Sequence, residues 1–226
     1  MDPISDRATP GRLVAEGVTI RTQVQVPVHF ADGYAALAGV TTFRGLVDGQ
    51  EHLALAFGDP EDWGVPLVRL HSECLTGDVF GSTRCDCGPQ LRESFEQIAA
   101  RGGVLLYLRQ EGRGIGLYNK LDAYALQDAG LDTYEANTAL GFAEDARDYT
   151  AAAQMLAALG LARLDLLTNN PDKAEQLREH GVAVRRTVPT GVFASESNLR
   201  YLQAKAEHTR HTILLPLGQD VAVAAG

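Results

Sequence analysis

A change in the spacing of apolar residues partway along the chain is the feature that most constrains the fold. Before residue 58 apolar and polar residues alternate, as in strands with one buried face, and the first such face would carry Val18, Ile20, Val24 and Val26. From Pro89 onward the spacing becomes helical, first at Leu91, Phe95, Ile98 and Ala99. Helical segments then alternate with short apolar strands at 104–108 and 164–167. The pattern predicts an α+β or α/β fold, in which a β-rich N-terminal portion is followed by alternating helices and strands around a mixed sheet.

The length of the chain suits one domain. It has 226 residues, of which 45% are hydrophobic, so a sizeable core is possible. Since no internal repeat or long linker divides the chain, we expect a single domain over residues 16–215. Residues 1–15 and 216–226 are expected to be flexible ends.

Charge and hydropathy argue against several classes of protein. A formal net charge of −9 disfavours a general nucleic-acid binder or a protein that binds anionic membranes. The chain has no run of about 18 apolar residues that would predict a membrane span, and its first residues lack the pattern of a secretory signal. We therefore expect a cytoplasmic protein, whose thiols stay reduced, acting on a small molecule.

The three cysteines are clustered in the pattern C-x10-C-x-C, as Cys74, Cys85 and Cys87. An odd, clustered set in a cytosolic chain is typical of metal ligands. Cys85 and Cys87 can point the same way from a loop or strand, whereas on a helix they would diverge by about 200°. Three thiolates leave the fourth tetrahedral position of a zinc ion open to water, which is typical of catalytic sites. Two alternatives remain, a structural zinc site closed by a histidine such as His71, and buried cysteines that bind no metal.

A zinc deaminase is a competing interpretation of the same region. His71-Ser72-Glu73 matches the H-x-E element of those enzymes, which use the glutamate to shuttle protons. Their second element, P-C-x-x-C, is absent from the chain, and Cys85-Asp86-Cys87 has a different spacing. The spacing of the ligands therefore argues against a deaminase.

Two later segments have the composition of anion sites. Residues 109–116 join a strand to a helix, are rich in glycine, and lie near three cations, Arg109, Arg113 and Lys120. Such a segment can bring backbone N–H groups and arginines to a phosphate, although a plain glycine-rich turn is an equal alternative. In the second segment Asn170 is predicted to cap a helix that begins at Pro171, with Thr168 and Lys173 beside its N-terminus. A simple capped helix is the alternative there.

Taken together, the ordered motifs resemble the GTP cyclohydrolase II family. The resemblance runs from about residue 20 to 215 and rests on RLHSECLTGD (69–78), RCDCG (84–88), RQEGRGIGL (109–117), AYALQD (123–128), GF (141–142) with Asp145 and Arg147, and LTNNP (167–171) with Lys173. It implies that residues 16–215 are a catalytic domain that forms homodimers and requires zinc and magnesium. It also implies that Cys74, Cys85 and Cys87 bind the zinc. The implied GTP contacts are Arg69, Leu70, His71, Ser72, Glu73, Gln90, Glu111, Gly112, Arg113, Thr133, Thr168 and Lys173.

The expected reaction is the hydrolytic opening of the guanine imidazole ring at C8, with release of formate and pyrophosphate. The product would be 2,5-diamino-6-(ribosylamino)-4(3H)-pyrimidinone 5'-phosphate, in the first committed step of riboflavin biosynthesis. The resemblance implies that Asp145 accepts a proton and that Arg147 attacks the α-phosphorus, and Tyr124 is a candidate for the deformylation step. Because arginine stays protonated below about pH 12, charge stabilisation by Arg147 is an alternative to attack. Two rival functions are a nucleotide sensor with structural zinc and a variant that stops at the formamide.

Overall fold

A seven-stranded mixed sheet forms the centre of the computed structural model. The structure describes residues 17–143, 145–195, 197, 198 and 202, without the side chains of 133 and 134. The two ends that were predicted to be flexible, 1–15 and 216–226, lie outside the described residues, and so do most positions after 195.

The sheet has an antiparallel half and a parallel half, in the order β1-β2-β3-β5-β4-β6-β7. The antiparallel strands come first in the chain: β1 is Thr19–His29, β2 is Ala35–Arg44 and β3 is Leu53–Phe57. The parallel strands follow: β4 is Leu67–Ser72, β5 is Gly103–Leu108, β6 is Arg163–Leu167 and β7 is Ala183–Val188. Strand β3 pairs antiparallel with β5 and so joins the two halves. The predicted mixed sheet is confirmed.

Six helices within the described part of the chain connect the strands or lie beside them. In chain order α1 is Leu75–Asp78, α2 is Cys87–Arg101, α3 is Leu117–Asp128, α4 is Thr133–Ala139, α5 is Thr150–Ala158 and α6 is Pro171–Glu179. The sequence did not predict α4, because Ala136 is the one buried apolar residue among its described side chains and no apolar stripe is visible. Within the described residues, no helix is long and apolar enough to cross a membrane.

Helices cover both faces of the sheet and bury two clusters of apolar side chains. On one face α2 packs Phe95 and Ile98 against Leu105 of β5, as its predicted apolar stripe requires. On the other face α5 and α6 bury a larger cluster with Val68, Leu70 and Leu106, to which they contribute Ala152, Ala153, Met155, Leu156, Ala174 and Leu177. The helices hold the parallel half of the sheet rigid from both sides, which is the usual arrangement for parallel strands.

The predicted buried face of β1 is wrong, because Ile20, Val24 and Val26 are 40%, 51% and 37% exposed, and Ile20 does not even share a face with the other two. The register of the β1–β2 pair shifts between Ile20 and Thr22, so that Ile20 pairs with Phe43 while Val24 pairs with Val40. One extra residue in a strand reverses the alternation of its side chains. Ile20 therefore faces the opposite side of the sheet from Val24, and a simple count of alternating residues could not detect it.

The carboxyl ends of the parallel strands meet at one edge of the sheet. The chain leaves β4 for β5 on one side and later returns to β6 on the other, which makes β4 the point where the strand order reverses. Open α/β sheets bind ligands at such a point. Close approach of the backbones holds the start of these strands together, since a Cβ at Gly103 would lie 2.0 Å from the carbonyl oxygen of Leu67.

Candidate functional site

Three thiols converge just beyond the end of β4. Cys74 lies between β4 and α1, Cys85 lies in the loop before α2, and Cys87 is the first residue of α2. The three Sγ atoms lie within 4.8 Å of one another, and those of Cys74 and Cys85 are 3.6 Å apart. Sulfur atoms that share a tetrahedral zinc at about 2.3 Å lie about 3.8 Å from each other. The cluster therefore fits a metal ion, as its spacing predicted, and His71 is not part of it.

The backbone at Cys87 differs from the prediction. Cys85 lies in a bend, as expected, but Cys87 opens helix α2 instead of lying in a loop or strand. The two side chains still converge, because a helical rotation separates only residues that both lie within the helix. The prediction that Cys87 lies in a loop or strand is therefore wrong, because it assumed that both cysteines share one type of backbone.

Gly77 lies directly against the thiols. A Cβ at this position would be 2.8 Å from Sγ of Cys85 and 3.1 Å from Sγ of Cys74. Gly77 is part of the short helix α1, so its backbone conformation does not itself require glycine. The close approach of the sulfur atoms does require it.

The carboxylate of Asp78 organises the loop that carries Cys74. It accepts hydrogen bonds from the backbone N–H of Cys74 at 3.0 Å and from the hydroxyl of Tyr107 at 2.9 Å. It also lies 3.1 Å from Nε2 of His71, whose ring stacks on Tyr107. Burial lowers the pKa of His71 against the opposing effect of Asp78. A neutral ring that donates from Nε2 to Asp78 leaves Nδ1 as an acceptor.

Lys120 of α3 binds the cluster from the other side. Its Nζ donates to Sγ of Cys74 at 3.2 Å, to the hydroxyl of Thr76 at 3.0 Å and to Oε1 of Glu111 at 2.8 Å. Hydrogen bonds from the neighbouring thiols, together with the Lys120 ammonium, lower the pKa of Cys74. The hydrogen bond that Cys85 makes to Cys74 helps raise the pKa of Cys85 to about 11. The prediction that Lys120 helps to hold phosphate is not supported by these contacts.

The glycine-rich segment forms a tight 3₁₀ turn over Glu111–Gly114. Gly112 and Arg113 both have φ of 62°, and for a residue other than glycine that conformation is uncommon and often marks a functional site. The carboxylate of Glu111 secures the turn, accepting from the backbone N–H of Leu75 at 2.7 Å and of Gly112 at 3.0 Å. The third predicted phosphate contact, Arg109, instead pairs with Glu73 at 2.8 Å.

A pocket opens at the carboxyl ends of β4, β5 and β6, with the three thiols in its wall. The predicted site residues that line it are Arg69, His71, Ser72, Glu73, Cys74, Cys85, Cys87, Gln90, Glu111, Gly112, Arg113, Lys120, Tyr124, Arg147, Thr168 and Lys173. Other lining residues were not predicted, namely Arg84, Gln110, Ile115, Ala123, Gln127, Asn137, Asn169, Asn170 and Thr190. Arg84 follows directly from the R-C-D-C-G motif, whereas Asn137 and Thr190 carry no local signal.

Three of the predicted site residues are absent from the pocket lining within the described residues. The side chain of Leu70 is fully buried in the hydrophobic core, and its carbonyl oxygen accepts from Nζ of Lys173 at 2.7 Å. Asp145 does not line the pocket itself but pairs with Arg147, which does. Thr133 is the first residue of α4, and its side chain lies outside the described residues.

Nε of Arg69 and Nδ1 of His71 are buried in the pocket wall and have no hydrogen-bond partner among the described residues. The rest of the Arg69 guanidinium is held, by the carbonyl of Leu167 at 3.2 Å and by Oε1 of Gln90 at 2.9 Å. Nearly all buried polar groups in folded proteins are paired. One unmatched donor and one unmatched acceptor therefore indicate a place where a polar ligand binds.

Asp145 and Arg147 form a close ion pair. Nε of Arg147 donates to Asp145 at 2.8 Å, a second nitrogen of the guanidinium binds the other carboxylate oxygen, and the backbone N–H of Arg147 adds a third contact at 3.1 Å. Burial alone would raise the pKa of Asp145, but the hydrogen bonds and charge of Arg147 outweigh it and lower the pKa. The segment is tied to the 3₁₀ turn, because the N–H of Ala146 donates to the carbonyl of Arg113 at 3.2 Å.

Tyr124 of α3 is held between two cations. The guanidinium of Arg84 lies 4.8 Å from the centre of its ring and Nζ of Lys120 lies 5.7 Å from it. Arg84 is itself fixed by two contacts to Asp128, at 2.7 and 2.9 Å. Burial raises the pKa of Tyr124, against the opposing effects of Lys120 and of a hydrogen bond with Thr76, so that its hydroxyl, like that of any tyrosine, is protonated at neutral pH.

Comparisons with known proteins point to one family. The family model for GTP cyclohydrolase II matches residues 21–189. The chain is 53% identical over 180 residues to GTP cyclohydrolase-2 of Psychromonas ingrahamii, covering 79% of this chain and 90% of that protein. It is 52% identical over 179 residues to GTP cyclohydrolase-2 of Vibrio cholerae, again covering 79% and 90%.

A longer relative matches over part of its length. The chain is 57% identical over 169 residues to the riboflavin biosynthesis protein RibBA of Bacillus subtilis, covering 74% of this chain and 42% of that one. Among solved structures, RibBX of A. baumannii, a two-domain 3,4-dihydroxy-2-butanone 4-phosphate synthase, overlaps 70% of this chain and 37% of its own at 21% identity. Its TM-score of 0.36 is too low to support a shared fold. On the family match and the close relatives, this chain belongs to the GTP cyclohydrolase II family.

Proposed function

We propose that this chain hydrolyses GTP, opening the guanine imidazole ring at C8 and releasing formate and pyrophosphate. The product is 2,5-diamino-6-(ribosylamino)-4(3H)-pyrimidinone 5'-phosphate, and the step is the first committed one of riboflavin biosynthesis. One observation carries the proposal: a cluster of three thiols that fits a metal lies in the wall of the same pocket as most of the predicted GTP contacts. The names of the relatives support the same substrate.

At the base end of the pocket, we propose that Cys74, Cys85 and Cys87 hold one zinc ion. Zinc in a site with an open position lowers the pKa of a bound water toward about 7, and so supplies a nucleophile at neutral pH. The unmatched donor of Arg69 and the unmatched acceptor of His71 are the groups we assign to binding the polar edge of the nucleotide. Tyr124, which lines the pocket beside the thiols, positions the formamide for its hydrolysis.

At the phosphate end, we propose that Arg113, Arg147 and Lys173 hold the triphosphate with a magnesium ion. Arg147 acts there as a fixed positive charge and not as a nucleophile. Its guanidinium is bound to Asp145 through two nitrogens of one edge, and such a cation has no lone pair to attack phosphorus. Preorganised charge of this kind stabilises the negative charge that develops as pyrophosphate leaves.

The test is to incubate the purified protein with GTP and magnesium and to assay formate and pyrophosphate together. We expect both products in equal amounts. Cys85→Ser should lose bound metal and formate release together, because one of three ligands is gone. The control is Val79→Ala, an exposed position between the ligands, which should keep both. Release of neither product would sink the proposal, and pyrophosphate without formate would limit it to an early step.

The role of Arg147 has its own test. If Arg147 attacks the α-phosphorus, mass spectrometry of the quenched reaction will find a nucleotide bound to this side chain, and Arg147→Ala will lose it. We expect no such adduct, and a large loss of pyrophosphate release in Arg147→Ala. A trapped adduct on the parent protein would refute the stabilising role.

We further propose that the protein works as a homodimer in the cytoplasm. The dimer rests on the family resemblance. The cytoplasmic location rests on that resemblance and on the three cysteines, which form no disulfide among the described residues. Light scattering of the purified protein tests the dimer, which predicts twice the 24.3 kDa mass of one chain.

A further inference from the structure

The geometry points to Lys120 as the residue that compensates the charge of the cysteine cluster and couples it to the turn at Glu111. Nothing in the reaction proposed above assigns a role to this side chain. The inference rests on the proposed function in one respect, that the three thiols bind a divalent metal.

All of the hydrogen-bonding capacity of Lys120 is directed at this cluster. An ammonium group has three N–H donors, and here they find three acceptors: Sγ of Cys74, the hydroxyl of Thr76 and Oε1 of Glu111, at 3.2, 3.0 and 2.8 Å. The residue is 9% exposed, in a helix that is otherwise buried only at Ala123. Lys120 also lines the pocket, but its three donors are all bound within the cluster, so we assign it as a positioning residue.

The charges in the cluster explain why a cation belongs there. Three thiolates and one divalent metal leave an excess of one negative charge, and the buried carboxylate of Glu111 adds another. Uncompensated charge is costly to bury. Lys120 is the cation that directly bonds both a thiolate and Glu111. Its hydrogen bond also withdraws electron density from the sulfur of Cys74, which keeps a bound metal a stronger Lewis acid.

The same contacts form a mechanical link. Glu111 is bound at one oxygen by Lys120 and at the other by the N–H of Leu75, the residue after Cys74. The turn that follows Glu111 carries Gly112 and Arg113 into the pocket. Lys120 therefore holds the metal ligands and the pocket turn in one fixed relation.

The experiment compares Lys120→Met, which keeps the length of the side chain without its charge, with Lys120→Arg. Zinc and cobalt affinities are measured by competition with a chromophoric chelator, and folding of the metal-free proteins by thermal unfolding. We expect Lys120→Met to lose 10- to 100-fold in metal affinity, the range found for residues that support metal ligands. Its cobalt–thiolate absorption band should move to longer wavelength, because the sulfur loses a hydrogen-bond donor. Lys120→Arg should recover part of both.

The matched control is Arg101→Met. It also removes a cation from a buried carboxylate, Asp165, but it lies at the other end of α2 from Cys87, about 20 Å away at 1.5 Å per residue. It should leave metal affinity and the cobalt spectrum unchanged. Parental affinity and spectrum in Lys120→Met would overturn the inference.

If Lys120→Met fails to fold, the double variant with Glu111→Gln removes the unpaired buried carboxylate. Reduced metal affinity in that folded variant supports the inference, and parental affinity overturns it. The proposed function is tested separately. A parent protein that binds metal in a Lys120-dependent way but does not hydrolyse GTP would refute the function and leave the role of Lys120 intact.

Discussion

Replacing Gly77 by alanine should weaken metal binding much more than it lowers the free energy of unfolding. The added Cβ would lie 2.8 Å from Sγ of Cys85, and ordinary contacts begin at 3.4 Å, so the sulfur must move by 3.4 − 2.8, or 0.6 Å. Metal–ligand distances are held to within about 0.2 Å. Rotation of the Cys85 side chain relieves the contact most easily, and that motion takes the sulfur away from the other two ligands.

The free energy of folding should change much less than the metal affinity. Overpacking costs about 1–3 kcal/mol, whereas alanine in place of a helical glycine contributes about 1 kcal/mol in the opposite direction. We expect the metal-free variant to be less stable by at most about 2 kcal/mol. Zinc affinity should fall at least ~100-fold, which corresponds to about 2.7 kcal/mol.

The assay is chelator competition for zinc, with urea denaturation of the metal-free protein alongside. Gly64→Ala is the control, because a Cβ at Gly64 has no neighbour within 4 Å, and it should leave both measurements unchanged. If Gly77→Ala binds zinc within threefold of the parent, the thiols are not packed against this glycine as described.

Three further predictions concern charge and strand packing. Asp165→Asn should destabilise the protein at pH 7 by about 2 kcal/mol, a value reduced because the three arginines bound to Asp165 are partly exposed. Hydrogen bonds from the three arginines lower the pKa of Asp165, and that from Arg185 contributes most. The difference in unfolding free energy between Asp165→Asn and the parent should therefore be full above about pH 4 and should vanish as the pH falls through the lowered pKa. A difference that stayed constant with pH in urea denaturation would contradict this. In Arg147→Met, the pKa of Asp145 should rise from its lowered value, because the guanidinium that outweighed burial is lost, while the backbone N–H of residue 147 and the charge of Arg113 still oppose burial; a pKa that stayed low in a carbon-13 titration of the carboxyl group would contradict this. Gly103→Ala should cost about 3 kcal/mol or more in urea denaturation, since its Cβ would meet the carbonyl of Leu67 at 2.0 Å, and parental stability would refute that close approach.

The sequence patterns predicted those structural features that depend on residues close together in the chain. The mixed sheet and the apolar stripe of α2 follow from the spacing of side chains, and the cysteine cluster follows from its local pattern. The cap of α6 at Asn170 was also predicted, and its side chain accepts from the N–H of Asp172 at 3.0 Å.

Contacts between distant segments could not be predicted in the same way. Arg69 binds the carbonyl of Leu167, 98 residues away, and Glu111 binds the N–H of Leu75, 36 residues away. Lys120 lies near two arginines in sequence, yet its three partners belong to the cysteine cluster. Leu70 was assigned to the substrate with its neighbours in the motif, although side chains alternate along a strand and every second one points away.

If the three cysteines bind a metal as proposed, the supply of that metal would affect how readily one segment of the chain opens. Cys74 lies between β4 and α1 and Cys87 begins α2, so an ion bound by both would clamp the intervening segment, which exposes Val79 and Phe80. A ligand at 100 times its dissociation constant stabilises the bound state by about 2.7 kcal/mol. Without the metal the unclamped segment would open more often, and exposed loops that open locally are where proteolytic nicking concentrates. Metal starvation would then shorten the lifetime of the metal-free protein.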